Sequence, residues 1–173
     1  EIQPKSPPRL ALASSEYNTR RQQCEQGVAW VKKQIPEVQS LRDVSPEMLQ
    51  QHVLPKDELI YKRCKYVLEE NLRLLAACED LKKGDIAALG QKMFRTHEGL
   101  SKEYEVSCRE LDWLVQYVRN ESSVLGARIM GGGFGGCSIN LVNENAVDAL
   151  VENVSAQYLQ ATGLTLSAYT VQI

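Results

Sequence analysis

The fold is decided by residues 124–142, which read VLGARIM-GGGFGG-CSINLV and place a glycine run between two alternating segments. Apolar side chains alternate with small or polar ones on both sides of the run, and this is the two-residue period of a β-strand. Five glycines among six residues give up backbone entropy that a plain connection does not require. The segment therefore predicts two strands joined by a loop that needs close backbone approach.

The glycine run matches known phosphate-binding patterns only in part. Gly131, Gly133 and Gly136 have the spacing of the dinucleotide motif G-x-G-x-x-G, but that motif leads into a helix, whereas a strand is predicted here. No Gly-Lys-Ser/Thr follows, so a P-loop ATPase is disfavoured as well. Two interpretations stay open, an anion-binding nest of backbone N–H groups and a wide hairpin with bulges. Phe134 within the run is expected to plug into the core rather than to bind a ligand.

The chain before the glycine run has the periodicity of helices. Apolar residues at three- and four-residue intervals predict helices from Ser14 to about Ile35, after Ser45-Pro46, over Asp57–Leu81, after Asp85, and over Cys108–Val118. The apolar face of the third helix includes Leu74, Leu75, Cys78 and Leu81. After the run, a helix from Asn143 to Gly163 and a strand over Thr165–Ile173 are predicted. This order argues for an α+β domain in which helices pack mainly on one face of an antiparallel sheet.

Composition narrows the class of protein. A chain of 173 residues with 43% apolar and 24% charged residues predicts one globular domain. A net charge of −2 gives no basic field for nucleic acid or for an anionic membrane. The five cysteines contain no Cys-x-x-Cys pair, so we expect reduced, mostly buried thiols and a cytoplasmic location. No apolar run long enough to span a membrane and no signal-peptide pattern is found.

Three motifs, in order along the chain, carry a resemblance to a known family. Residues 126–137, GARIMGGGFGGC, resemble the third signature motif of the kinases named for galactose, homoserine, mevalonate and phosphomevalonate. Residues 12–24, LASSEYNTRRQQC, and residues 96–112, THEGLSKEYEVSCRELD, resemble segments typical of galactokinases within that superfamily. The chain is therefore similar to galactokinases from residue 12 to residue 173.

The resemblance implies the ferredoxin-like C-terminal domain of this superfamily over residues 12–173, with residues 1–11 as a linker, tag remnant or truncated edge. It also implies ATP-dependent phosphorylation of galactose to galactose 1-phosphate by a two-domain enzyme. ATP and Mg²⁺ would act in the full-length enzyme, and none is expected to be bound to this part alone. The family's catalytic aspartate, partner arginine and main phosphate loop precede the matching region. We therefore expect no catalytic residue and no metal ligand in this chain, which would be inactive without the missing N-terminal domain.

The resemblance also assigns site residues. Tyr17 would contact the sugar, and the loop would brace the phosphate site through Gly131, Gly132, Gly133, Phe134, Gly135 and Gly136. Tyr17 and this loop should then lie on one side of the domain, at the face where the N-terminal half docks, with Phe134 as an exposed aromatic. Leu10 and Tyr66 depart from the family pattern, which tends to have histidine at both positions.

Other polar residues are interpreted as structural. His97 is expected to be a cation that interacts with a helix dipole. Arg20 and Arg21 are consistent with phosphate contacts or with surface ion pairs, and we assign them no site. The acidic side chains around residues 103–112 fall near a predicted helix start, where negative charge is favourable, and they are Glu103, Glu105, Glu110 and Asp112. Two alternatives to a galactokinase part remain, a catalytically dead sugar sensor of the same family and an unrelated α+β small-molecule binding module.

Overall fold

The computed structural model describes residues 7–171, with side chains from Glu16 onward. In chain order its elements are α1 (Pro7–Lys32), α2 (Pro46–His52), α3 (Glu58–Lys83), α4 (Ile86–Lys102), α5 (Arg109–Arg119), β1 (Val124–Met130), β2 (Cys137–Val142) and α6 (Val147–Thr162). Short 3₁₀ turns span Leu41–Asp43 and Glu144–Ala146. None of the helices in this described part is long and apolar enough to cross a membrane.

Helix boundaries follow the capping residues that the sequence predicts. The Asp57 and Asp85 carboxylates accept the backbone N–H groups of Ile60 and Ala88, and they start α3 and α4. Gly84 ends α3 in a left-handed conformation, with φ of 71°. Gly163 ends α6 in the same way, with φ of 72°. The five helices predicted before the glycine run are therefore confirmed.

The two predicted strands pair as an antiparallel hairpin. Val124 lies opposite Val142 at the open end, and Met130 lies opposite Cys137 beside the glycine loop. Helices α4 and α5 pack on β1, and the core between them includes Phe94, Leu111, Ala127 and Ile129. The α+β class with an antiparallel sheet is confirmed.

The ends of the chain differ from the sequence prediction. Residues 164–171 form no strand, and residues 172–173 lie outside the described range, so the predicted strand over Thr165–Ile173 is wrong for the part described. A β-prone segment forms a strand only when a neighbour accepts its hydrogen bonds, and in the described sheet β1 and β2 pair only with each other. At the other end α1 begins at Pro7 rather than Ser14, because proline is tolerated in the first turn of a helix. Of the predicted edge at residues 1–11, residues 1–6 lie outside the described range.

Helix α3 buries only its first half, where Cys64, Tyr66 and Leu68 are buried. Further along, Leu74, Leu75 and Leu81 are more than half exposed, so their prediction as core residues is wrong. This half of α3 contacts α4 through another face, where Asp80 pairs with Lys92. Thiol burial was overestimated too, since Cys64 is buried, Cys78 is exposed and the other three cysteines are intermediate.

A pair of glycines sets the distance between α4 and β1. A Cβ atom on Gly90 would stand 2.0 Å from the Leu125 carbonyl oxygen. A Cβ on Gly126 would stand 2.4 Å from the Gly90 Cα. These separations are far shorter than a van der Waals contact, so only glycine lets the helix backbone touch the strand. The hairpin that carries the glycine loop is thereby fixed to the helical layer.

Candidate functional site

The glycine loop, residues 131–136, owes its shape to left-handed backbone angles. Five of its six residues have positive φ, namely Gly131, Gly133, Phe134, Gly135 and Gly136. Residues with a Cβ rarely adopt such angles, and this explains the glycine content. Strand β2 follows the loop directly, so the dinucleotide motif, which requires a helix there, is excluded.

The loop presents backbone N–H groups and almost no side chains. Among the described residues, the N–H groups of Gly131, Gly132, Gly133 and Gly135 have no backbone acceptor. Such N–H groups are the donors that bind an anion in a backbone nest. Gly133 also needs to lack a side chain, since a Cβ there would stand 2.2 Å from the Val106 carbonyl oxygen.

Phe134 anchors the loop to the core. Its φ is 60°, which is unusual for a bulky residue. Its N–H donates to the Val106 carbonyl at 2.6 Å, and its half-buried ring packs against the core that surrounds the hairpin. The ring is therefore a plug, and the expectation that it would be an exposed aromatic at this face is wrong.

Tyr17 lies beside the glycine loop. Its ring carbons Cδ2 and Cε2 are 3.6 and 3.9 Å from the position that a Cβ on Gly132 would occupy. Tyr17 is 53% exposed, so its ring lies beside the loop and remains open to solvent. Two motifs more than a hundred residues apart in sequence thus meet on one side of the domain, as expected.

A groove of about 510 Å³ runs along α1, and Tyr17 is one of its lining residues. Its lining includes Arg21, Cys24, Val28, Lys32 and Tyr104. The lining combines aromatic rings and aliphatic stems with a few polar tips, as small-molecule pockets generally do. Arg21 forms an ion pair with Glu25 at 2.8 Å, as expected for a surface position.

Cys24 lines the groove, and its thiol has a lowered pKa. Interaction with the neighbouring Cys64 thiol lowers the pKa of Cys24, with smaller effects in the same direction from Tyr104 and Arg63, while burial opposes them. The Cys64 Sγ donates to the Cys24 backbone carbonyl at 3.9 Å. The Tyr104 hydroxyl lies 3.8 Å from the Cys24 sulfur. The interaction with Cys24, together with burial, raises the pKa of Cys64.

The ion pair that helical spacing allows for Arg20 forms with Glu16 at 3.4 Å, but sequence reasoning missed a second role of Arg20. Its side chain is buried, and its Nε donates to the Tyr104 carbonyl at 2.7 Å, across 84 residues of sequence. The neighbouring Arg21, by contrast, is exposed. Helical spacing does not separate these two arginines, because they stand three and four residues after Tyr17 and both spacings make neighbours on a helix surface.

His97 and the acidic cluster are structural. His97 is buried in α4, with Nε2 3.1 Å from the Asp112 carboxylate, and burial lowers its pKa, so it is not the cation that we expected. Asp112 also accepts hydrogen bonds from Ser101 and Ser107. Glu103 pairs with Arg95 at 2.7 Å.

Tyr66, which replaces a family histidine, is part of the packing. Its ring centroid is 5.3 Å from that of Tyr104, and its hydroxyl donates to the Thr96 carbonyl at 3.4 Å. A Cβ on Gly99 would stand 2.3 Å from the ring, so a glycine is required in α4 opposite this tyrosine.

The described residues suit an anionic ligand better than a metal. The unbonded N–H groups of the loop fit a phosphate group. No cluster of three or more His, Cys, Asp or Glu side chains able to hold a metal ion occurs in the described part of the chain.

Comparison with known proteins agrees with the motifs. The family described as GHMP kinases C terminal matches residues 77–160. The galactokinase of Thermotoga maritima is 39% identical over 161 residues, which cover 93% of this chain and 43% of that protein. The galactokinase of Chloroflexus aurantiacus is 42% identical over 160 residues, which cover 91% of this chain and 40% of that protein. The chain thus spans roughly two fifths of the length of these relatives.

A solved structure is similar over the whole chain. The crystal structure of Lactococcus lactis galactokinase complexed with galactose superposes with a TM-score of 0.86 and 30% sequence identity. The superposition covers 100% of this chain and 43% of that one.

Proposed function

We propose that this chain contains a GHMP kinase C-terminal domain and is the C-terminal part of a galactokinase, which uses ATP to phosphorylate galactose to galactose 1-phosphate. The observation that carries the proposal is the nearness of the Tyr17 ring to the glycine loop at Gly132. A sugar kinase must bring sugar and phosphate together, and these two features lie side by side here. The similarity to a galactokinase solved with galactose supports the same conclusion.

In this proposal Tyr17 binds the sugar through its ring face and hydroxyl, because an aromatic side chain offers both an apolar body and a polar tip. The glycine loop approaches the phosphate side of the cleft, where its N–H groups are donors to negative charge. ATP supplies the phosphoryl group. The family resemblance implies that Mg²⁺ acts with ATP in the full-length enzyme, where one or two carboxylates and the substrate phosphates usually hold it.

The kinase proposal is tested in the full-length protein that carries this chain. Tyr17→Ala should raise the KM for galactose about tenfold with a smaller change in kcat, since it removes a binding contact. Gly133→Val should mainly lower kcat, because its side chain meets the Val106 carbonyl and displaces the loop.

Tyr61→Phe is the control for the tyrosine. Tyr61 packs against a second cluster of buried residues, which includes Val31 and Leu49 and is separate from the core around the hairpin. An unchanged galactose KM in Tyr17→Ala contradicts the sugar contact. Absence of galactose-dependent ATP consumption in the wild-type protein contradicts the kinase and favours a sensor.

The chain alone should not catalyse phosphoryl transfer, because positioned electrostatic groups supply most of that catalysis and the family's catalytic groups lie outside it. Formation of galactose 1-phosphate by the purified chain is the measurement. Turnover that Gly133→Val abolishes would belong to the chain itself and would contradict this part of the proposal.

A further inference from the structure

The segment between α4 and α5, residues 103–106, is held by two buried arginines from other helices. Arg20 of α1 donates from Nε to the Tyr104 carbonyl at 2.7 Å and from Nη2 to the Glu105 carbonyl at 3.1 Å. Arg63 of α3 donates from Nη1 to the Glu103 carbonyl. Their exposed fractions are 8% for Arg20 and 1% for Arg63, so both side chains are buried.

Glu105 gives this segment its unusual shape. Its φ is 56°, and among the described residues only Glu105 and Phe134 are non-glycine residues with positive φ. The Glu105 carboxylate accepts Arg63 Nη2 at 2.6 Å and Lys62 Nζ at 3.2 Å. Arg63 thus binds the segment at two points, and the hydrogen bond from Arg63 lowers the pKa of Glu105.

Val106 connects this segment to the glycine loop by hydrogen bonds. Its own N–H donates to the Leu100 carbonyl at 2.9 Å, which fixes it to the end of α4. Its carbonyl accepts the Phe134 N–H at 2.6 Å, and Gly133 packs against the same oxygen. The two left-handed non-glycine residues are therefore joined through one buried valine.

We propose that Arg20 and Arg63 are positioning residues, which set the place of the glycine loop by clamping residues 103–106. Arg20 is three residues from Tyr17 on α1, so one turn of helix carries both the proposed sugar contact and a clamp for the phosphate side. The importance of this role for turnover rests on the proposed kinase function. A lysine in place of Arg63 keeps the charge but lacks the planar fork that reaches a carbonyl and a carboxylate together.

Hydrogen exchange of the full chain tests the clamp without reference to activity. In Arg63→Lys, exchange within residues 131–136 and 103–106 should rise about tenfold, because local opening becomes easier. Arg95→Lys is the matched control, since Arg95 pairs with the Glu103 side chain and not with the segment's backbone. Equal exchange of the loop in these two variants overturns the proposal.

Three further variants protect the test against general unfolding. Glu105→Gln keeps both backbone clamps and removes only the carboxylate, so a smaller rise in loop exchange is expected, and no rise overturns the role of Glu105. Arg20→Lys should loosen the loop and Arg21→Lys should not, because Arg21 pairs only at the surface with Glu25. The opposite order overturns the proposal for Arg20.

In the full-length protein, Arg63→Lys should lower kcat about tenfold with little change in the galactose KM, when kcat is expressed per folded molecule. Unfolding alone would lower the apparent kcat without changing KM, so the folded fraction is measured in the same samples. A loop that exchanges faster while kcat is unchanged contradicts the proposed role of the loop in catalysis, but it leaves the clamp intact. A loop that exchanges at the wild-type rate overturns the clamp, whatever the kinase activity.

Discussion

Glycine serves opposite purposes at the crossing of α4 with β1 and in the glycine loop. At the crossing, Gly90 and Gly126 have no room for a Cβ, which would meet backbone atoms at 2.0 and 2.4 Å. In the loop, Gly131 and Gly135 have no described atom within 4 Å of that position. Their φ angles are 89° and 133°, which L side chains rarely adopt.

The difference separates what the fold needs from what the site needs. The crossing requires missing volume, so any side chain there must displace a helix or a strand. The open loop glycines require a backbone conformation, and a side chain there changes the local shape while the core stays packed. Substitutions in the two regions should therefore affect different measurements.

Gly126→Ala should produce the largest loss of stability. The new Cβ meets the Gly90 backbone, which has no rotamer to change, so the expected loss in unfolding free energy is about 3 kcal/mol. For a domain of this size the melting temperature should fall by about 10 °C. Urea and thermal unfolding of the chain measure both quantities.

A melting temperature within about 2 °C of wild type for Gly126→Ala would show that the crossing can relax, and the comparison would then fail. Gly84→Ala is the control, because Gly84 has φ of 71° and no described atom within 4 Å of its Cβ position. It should lose only about 1 kcal/mol.

Gly131→Ala should match Gly84→Ala in stability and differ from it in function. Both sites are open and left-handed, so each substitution should lose about 1 kcal/mol of unfolding free energy. Only Gly131 lies in the loop assigned to the phosphate side, so only Gly131→Ala should lower kcat in the full-length protein, about tenfold. Equal kinase activity in the two variants would break the distinction between site and fold.

Much of the fold follows from local sequence, because caps, helical periods and the alternating segments of the hairpin act over a few residues. The final strand was predicted wrongly, since a strand also depends on a partner edge that local pattern does not contain. The exposed leucines of α3 were misassigned for a similar reason. The second half of that helix contacts α4 through another face, and which face of a helix meets a neighbour is not a local property.

Less of the site follows from sequence alone. The strain of the loop is visible in its glycines, and the nearness of Tyr17 is an expectation from the family resemblance. The clamp on residues 103–106 is not visible, because Arg20 and Arg63 reach that segment across 84 and 40 residues of sequence. Local sequence does not distinguish either buried arginine from the charged residue beside it.

The stability of the protein should also depend on pH, because the buried His97 lies on α4, the helix that crosses β1. Burial lowers its folded-state pKa below the unfolded value, despite Asp112 nearby, and Arg119 acts in the same direction as burial. Below about pH 6.5 the unfolded chain binds a proton that folded His97 does not, so stability should fall as pH falls, by at most about 1.4 kcal/mol per pH unit. Urea unfolding between pH 7.5 and 5.5 measures the slope, and His97→Gln should flatten it. A slope that survives in His97→Gln would assign the effect to other groups.

Gly27 marks a third close crossing, between α1 and α3, and gives the smallest expected effect. A Cβ there would stand 2.3 Å from the Cys64 sulfur, so Gly27→Ala should push the Cys64 thiol away from Cys24. Cys24 would then lose the interaction that most lowers its pKa, and its thiolate fraction at neutral pH should fall. Iodoacetamide labelling followed by peptide mapping should show Cys24 reacting several-fold more slowly in Gly27→Ala than in wild type, at unchanged labelling of the exposed Cys78. Because thiolate is the reacting species, the difference should vanish at a pH well above the pKa of Cys24 in both proteins. If the Cys24 rate is the same in both proteins at neutral pH, the Cys64 side chain can make room for the new methyl group without changing Cys24. The backbone contact of Gly90 with Gly126 has no side chain that could move in this way.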